Sequence, residues 1–404
     1  VTGLSDGASL PAAKTWTDQK AAEVATLQTG GARAFYRTNA FGTLPGIEFG
    51  TGNPTPDIFS TASVTGVRSV FALAKCVVNS TAGIFARLPK MVVNNLYAMQ
   101  GDQTVGIIAD SAIDTNAVCY LDGKNVGHAL NRKSYAHTFG VVAGSTASVS
   151  LFGGDGSFGF GGTIGALVLL NAVPTAAEAL ELSNYLHSLG GATPRALPTR
   201  AFLFLGDSLT SGGANSPTNY DSEFPGVVSR YVATTGLGLT IDDVTWQNFG
   251  SFGDTAAGCL SRAQGVVTTT IQALVAAGYT TIHCNVWIGT NNIYSGNSPA
   301  TTAATTAQIG PALVTAGATK VSLLTLMARD GGGNQATYDA NRATYNTSVV
   351  GMVGTGVDRV VRIDLNANMG PNGSQTNTTY FTADQIHLAA SGISQIATEV
   401  QTGF

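Results

Sequence analysis

Apolar and polar positions divide the chain into two unlike halves. From residue 200 onward, short apolar runs alternate with longer stretches in which apolar residues recur at helical spacing. Ala201–Leu205, Val244–Phe249, Ile282–Ile288, Val321–Met327 and Arg359–Leu365 read as strands. Glu223–Thr235, Thr255–Ala277, Thr301–Ala316, Gln335–Val353 and Ala389–Val400 read as helical, although the threonines of the third weaken its propensity. Five apolar strands with intervening helices predict a parallel sheet covered on both faces, an α/β/α domain.

Residues 1–198 carry a different pattern. Short alternating segments recur at Val70–Val78, Gly83–Leu88, Val105–Ala109, Ala117–Asp122, Ala147–Phe152 and Gly165–Leu170, separated by Gly, Asn and Asp. Helical spacing is sparse until Thr175–Leu189. Many short strands with turn residues between them predict an antiparallel all-β sandwich. The stretch Ala192–Pro198 holds two prolines and no periodicity, which marks a linker. The expected organisation is therefore a β domain over 1–191, a linker over 192–199 and an α/β domain over 200–404. Gly154–Gly159 fits G-x-G-x-x-G, but a strand follows it instead of a helix, so it reads as a hairpin loop and not a nucleotide site.

Composition narrows the setting. Only 11% of the 404 residues are charged and the net charge is −4, so no basic footprint for nucleic acid is present. No apolar run is long enough for a membrane-spanning helix. Val1–Asp6 does not read as a signal peptide, and the missing initiator Met suggests a mature or trimmed chain. Low charge with abundant Gly, Ser and Thr suits an extracellular or virion-surface protein. The four cysteines, Cys76, Cys119, Cys259 and Cys284, lack zinc-finger spacing and sit in apolar contexts that suit buried thiols. A Cys76–Cys119 bridge is open if the chain is secreted. No metal-ligand set is apparent and no cofactor is expected.

The first strand of the α/β half ends abruptly in Gly206-Asp207-Ser208-Leu209. Ligands bind at the carboxyl edge of such sheets, and a serine there can act as a nucleophile if a base reaches it. Only His283 and His387 lie after residue 200. His283 falls inside an apolar strand and reads as a core histidine. His387 follows Asp384 by three residues, a spacing that lets one turn present a carboxylate and an imidazole together. Gly253 and Asn291 follow the second and third strands, where a backbone N–H and a side-chain amide can donate to an oxyanion. Taken singly, a tight turn for Gly253 and a helix cap for Asn291 are the favoured explanations.

Gly206-Asp207-Ser208-Leu209, Gly253, Gly289-Thr290-Asn291 and Asp384-x-x-His387 occur in the order found in the SGNH, or GDSL, hydrolases, and residues 200–404 resemble that family. The resemblance implies a flavodoxin-like strand order and a serine esterase. It assigns Ser208 as nucleophile, Asp384 and His387 as the rest of a triad, and Ser208, Gly253 and Asn291 as oxyanion donors. One departure stands out: the family's third block is usually Gly-x-Asn-Asp, and Asn292 replaces its final Asp, which keeps a hydrogen bond but not a charge. Residues ~30–190 resemble concanavalin-like or laminin-G-like jelly rolls, on the Leu121-Asp122-Gly123-Lys124 hairpin and the strand–helix ending at Gly162–Leu189. Such domains often bind carbohydrate. Together the halves suggest a carbohydrate O-acetyl esterase acting on an acylated glycan or another small ester. The alternatives are a virion or cell-surface glycan-binding adhesin with accessory esterase activity, or a lipase or thioesterase.

Overall fold

The computed structural model describes residues 15–17, 24–28, 35–41, 44–49, 58–76, 91–93, 96–99, 108–109, 112–113, 118–127, 137–152, 162–191, 193–194, 196–211 and 243–401. The chain divides into two compact units, Val1–Leu197 and Pro198–Phe404.

The first unit is built on one nine-stranded antiparallel sheet. Two strands dominate it, Ile58–Cys76 and His137–Phe152, of 19 and 16 residues. They pair with each other, and Ile58–Cys76 also pairs with Gly162–Leu170 and Val24–Gln28. The antiparallel pairing agrees with the sequence. Among the described residues the strands outside this sheet form two two-stranded sheets, Met91–Val93 with Leu96–Met99 and Ile108–Ala109 with Ala112–Ile113, and not the second large sheet expected of a jelly-roll sandwich. The expected segments Gly83–Leu88 and Gly154–Gly159 lie outside the described residues, as does most of Val105–Ala109.

One helix, Ala176–Leu189, covers part of this sheet. Thr175 caps it, and the Glu178 carboxylate reaches back to the Thr175 N–H, a reciprocal pair that satisfies two otherwise orphaned donors. Its Ala179 and Leu186 enter a core with Phe71, Leu73, Tyr120 and Val142. Beneath the helix, Asp122 Oδ1 accepts hydrogen bonds from the Thr138 N–H at 2.8 Å and from His187 Nε2 at 2.9 Å. This buried knot ties the Asp122-Gly123 hairpin to the helix. Cys119 is a buried free thiol with its pKa pushed up to about 12 by burial, so the Cys76–Cys119 bridge is not formed.

The second unit holds five parallel strands: Arg200–Gly206, Val244–Gly250, Thr281–Trp287, Lys320–Leu324 and Arg359–Val361. The first lies between the second and third, with the fourth and fifth beyond, which is the 2-1-3-4-5 flavodoxin-like order. Consecutive residues of the first and third strands are buried, Ala201 through Gly206 and Ile282 through Trp287. Alternate side chains point to opposite faces, so burial of every residue means both faces are covered. His283 is part of this core. Its Nε2 lies 3.0 Å from Ser322 Oγ on the neighbouring strand, and burial, with the charges of Lys320 and Arg359, lowers its pKa to about 3.

Three boundaries differ from the sequence reading, each for a local reason. The expected helix Thr301–Ala316 is two helices, Pro299–Thr306 and Ile309–Ala316. Pro311 cannot sit in a helix interior but is tolerated in a first turn, and the break places it there. The fourth strand stops at Leu324 because the Leu326 N–H is taken by the Asn346 side chain at 2.7 Å. The fifth stops at Val361, where Arg362 and Asp364 pair and the chain turns into a short 3₁₀ segment. The expected helix Glu223–Thr235 lies outside the described residues.

Candidate active site

The switch point of a 2-1-3-4-5 sheet lies where the chain leaves the first strand in one direction and the third in the other. Every candidate residue sits on a segment that leaves this edge. Ser208 opens a single helical turn, Ser208–Ser211, immediately past the first strand. Gly206 allows the tight exit: a Cβ there would lie 2.2 Å from the Trp287 carbonyl oxygen and 2.1 Å from Thr210 Oγ1. The Gly206 carbonyl in turn accepts from the Ser251 N–H at 3.0 Å and from Arg262 Nη2 at 2.8 Å. Arg262 also pairs with the Asp254 carboxylate, so the exit from the first strand and the loop after the second are held as one piece.

His387 and Asp384 arrive on the loop before the last helix. His387 Nε2 lies 2.9 Å from Ser208 Oγ, and Nδ1 lies 2.6 Å from Asp384 Oδ2. A carboxylate only accepts, so Nδ1 carries the proton and Nε2 is left to accept from the serine hydroxyl. Asp384 Oδ1 accepts three further bonds, from Thr382 Oγ1, the Ile386 N–H and the His387 N–H. Desolvation opposes charge on Asp384. The hydrogen bonds from Thr382, the His387 ring and the two backbone N–H groups outweigh it and hold the carboxyl well below the usual range. The loop is closed on itself by the Thr382 N–H bonding the His387 carbonyl at 2.8 Å and by a bridge between Phe381 and Leu388. Gln385 sits at φ 58°, a left-handed conformation that places the carboxylate and the ring on one side.

The remaining candidates also converge. Gly253 adopts φ 66°, and no hydrogen bond among the described residues takes up its N–H. Asn291 Nδ2 donates to the Asp254 carbonyl at 3.0 Å, leaving its second N–H for a ligand. Gly289, just before, is at φ 115°, and a Cβ there would lie 2.7 Å from the Tyr345 ring, so both backbone and space require glycine. Asn292, the departure from the family pattern, accepts from the Ala256 N–H at 2.8 Å through Oδ1. An amide oxygen fulfils that role at a helix N-terminus without a charge. It fastens the Gly253 loop to the Asn291 turn.

Asp207, next to Ser208, is fully buried. Its Oδ1 accepts from the Leu209 N–H at 2.9 Å, and Oδ2 is buried with no partner. Burial pushes its pKa up to about 7, against the Leu209 hydrogen bond and the positive charge of Arg329. A carboxyl whose folded pKa lies above its unfolded value costs stability as pH rises. Below the unfolded pKa both states are protonated; above about 7 the full cost is present. The Asp207→Asn variant therefore lacks a loss of about 4 kcal/mol that the native chain undergoes between pH 4 and 8. Denaturant midpoints across that range read this directly, and parallel pH profiles for the two proteins would contradict it.

Sequence reasoning missed one residue here. Arg329 lies past the fourth strand, is 4% exposed, and reaches Asn291 Oδ1 with Nη1 at 3.4 Å. The rule that selected Ser208, a chemical group just beyond a strand's carboxyl end, marks Arg329 as well.

The fold and the site together define a doubly wound α/β domain with a serine, a histidine and an aspartate in hydrogen-bonded series at its carboxyl edge. No family model matches the chain, and no curated protein matches it. Solved structures similar to it include a member of the lipolytic G-D-S-L family from Veillonella parvula, at 18% identity over 51% of this chain and 98% of that one, with TM-score 0.37. A lipase/acylhydrolase from Enterococcus faecalis is similar at 19% identity over 50% and 94%, with TM-score 0.36. The acetylxylan esterase Axe2 from Geobacillus stearothermophilus is similar at 16% over 52% and 97%, with TM-score 0.37.

Proposed function

We propose that residues 200–404 form a serine esterase of the SGNH kind. The observation that carries this reading is the series Asp384–His387–Ser208, linked at 2.6 and 2.9 Å. His387 takes the proton from Ser208 Oγ as the oxygen attacks an ester carbonyl. The imidazolium that forms is stabilised by the Asp384 carboxylate, whose depressed pKa keeps it ionised. The developing oxyanion sits among the N–H groups of Ser208 and Gly253 and the Asn291 amide, each donor being worth about 3 kcal/mol in the transition state. Collapse expels the alcohol, which receives the proton from His387. Water then repeats the sequence on the acyl-enzyme and releases the acid.

The substrate we favour is an acylated carbohydrate, most simply an O-acetyl glycan. Two exposed aromatic rings support this: Phe252, beside Gly253, and Tyr294, three residues past Asn291, are each 48% exposed. Rings so placed on the segments of the oxyanion donors offer flat apolar faces to a sugar. An extracellular or virion-surface setting, with residues 1–191 placing the glycan, accords with the low charge of the chain. The test is acetate release from a panel of acetylated polysaccharides, alongside activated acetyl and long-chain esters. Activity confined to long-chain esters overturns the carbohydrate assignment. Failure to turn over any ester of the panel overturns the esterase reading itself.

A further inference from the structure

We propose that Arg329 is a positioning residue for the oxyanion hole: it holds the Asn291 carboxamide so that an N–H, and not the carbonyl, faces the reacting ester. The inference rests on the reading of Asn291 as an oxyanion donor. The two ends of a primary amide are almost the same size but opposite in sign. Turned over, Asn291 would aim a lone pair at a developing negative charge and raise the barrier it should lower.

Two partners on opposite sides of the amide select the productive orientation. The Asp254 carbonyl, which can only accept, lies 3.0 Å from Nδ2. The Arg329 guanidinium, which can only donate, lies 3.4 Å from Oδ1. The same Nη1 reaches Thr290 Oγ1 at 3.4 Å, so the guanidinium grips two successive residues of the turn.

Arg329 is itself held as a fixed support. Its guanidinium lies 4.3 Å from the centre of the Tyr294 ring and 5.9 Å from that of Tyr338. Its Nε donates to the Asp330 carbonyl, and its own carbonyl accepts from Gln335 Nε2 at 3.0 Å. Among the described residues no carboxylate lies within ion-pair distance of it; the Asp207 carboxyl feels its charge without a direct contact. The next residue extends the support to the base: the Asp330 N–H donates to the Gln385 carbonyl at 2.9 Å, inside the loop that carries Asp384 and His387. One short segment past the fourth strand thus touches both the oxyanion turn and the acid–base loop.

The experiment is a double-mutant cycle read in kcat and KM on an activated acetyl ester, with Arg329→Met, Asn291→Ala and the two combined. Arg329→Met is expected to lower kcat by about 10- to 100-fold with KM little changed, since misplacing one transition-state donor costs that much. In the Asn291→Ala background the same substitution is expected to cost almost nothing, because the group it positions is gone. A merely structural arginine would lower kcat equally in both backgrounds. Should Arg329→Met fail to fold by circular dichroism, Arg329→Lys carries the same cycle, keeping the charge and stem but losing the planar fork. Native kcat in the variant, or a loss undiminished in the Asn291→Ala background, overturns the inference. A wild-type protein that hydrolyses no ester is a different result, which refutes the esterase reading on which the inference stands.

Discussion

Ser208→Ala is expected to lower kcat on an activated acetyl ester by about a millionfold and to leave the fold as it was. The size of the loss follows from what is removed. In the proposed mechanism Ser208 Oγ is the atom that forms the covalent bond, and His387, left without it, has no oxygen of the protein from which to take a proton. The fold tolerates the change because the hydroxyl is the smallest part of what holds this turn. Leu209 remains anchored to Asp207 Oδ1, and the Thr210 N–H to the Asp207 carbonyl at 3.1 Å. Residual hydrolysis of about a thousandfold over water is expected from the oxyanion donors alone. Steady-state rates and circular dichroism on the same preparation check both halves. A loss below a hundredfold would mean that another group attacks the ester.

Asp384→Asn is expected to lower kcat by about 10⁴-fold, although the replacement has nearly the same shape. The reason lies in the crowded environment of Oδ1, which accepts from Thr382 Oγ1 and from the N–H groups of Ile386 and His387. Three donors can be satisfied only by the amide oxygen, so the amide NH₂ is forced towards His387 Nδ1. An NH₂ there donates, and the ring responds by moving its proton to Nε2. The base then presents an N–H to Ser208 where a lone pair is required. In the native protein the depressed pKa of Asp384 keeps the carboxylate ionised as pH falls towards 5. Loss of rate on the acid side therefore does not arise from Asp384, and the Asn variant is slow throughout the range from about pH 5 to 9. A tenfold loss or less would show that Asp384 does not hold the tautomer.

The parts of this site that were legible in the sequence are those produced by local rules. Ala201–Leu205 ends in a glycine, a buried strand must turn there, and Ser208 falls at the edge where ligands gather. Asp384 and His387 are legible for the same reason, since one short turn joins them. Arg329 also lies past a strand's carboxyl end, but that place alone gives it no role, because its partners are tertiary: Asn291 and Tyr294 come to it across more than thirty residues of chain. The strand ends of the fourth and fifth strands were hidden in the same way, in the side chains of Asn346 and Asp364. In the first unit the sequence showed Val70–Val78 as a strand but not its continuation back to Ile58. That stretch is rich in Ser and Thr, and a period of two is faint when the polar positions are small hydroxyl residues and the apolar ones include Ala and Gly.

The loop around Asp384 and His387 closes on itself through Thr382, whereas the contact from His387 to Ser208 joins residues 179 apart in sequence. The two halves of the proton path thus answer to different scales of order. The acid–base pair needs only one turn of chain to survive. The base–nucleophile contact needs the whole sheet condensed, with the final loop docked against the first strand. If the chain is the proposed esterase, ester turnover is for this reason a gauge of complete folding: partial denaturation is expected to abolish turnover while the imidazole is still hydrogen-bonded to its carboxylate. Activity lost in denaturant before the His387–Asp384 proton signal broadens would mark the undocking of that loop as the first event of unfolding.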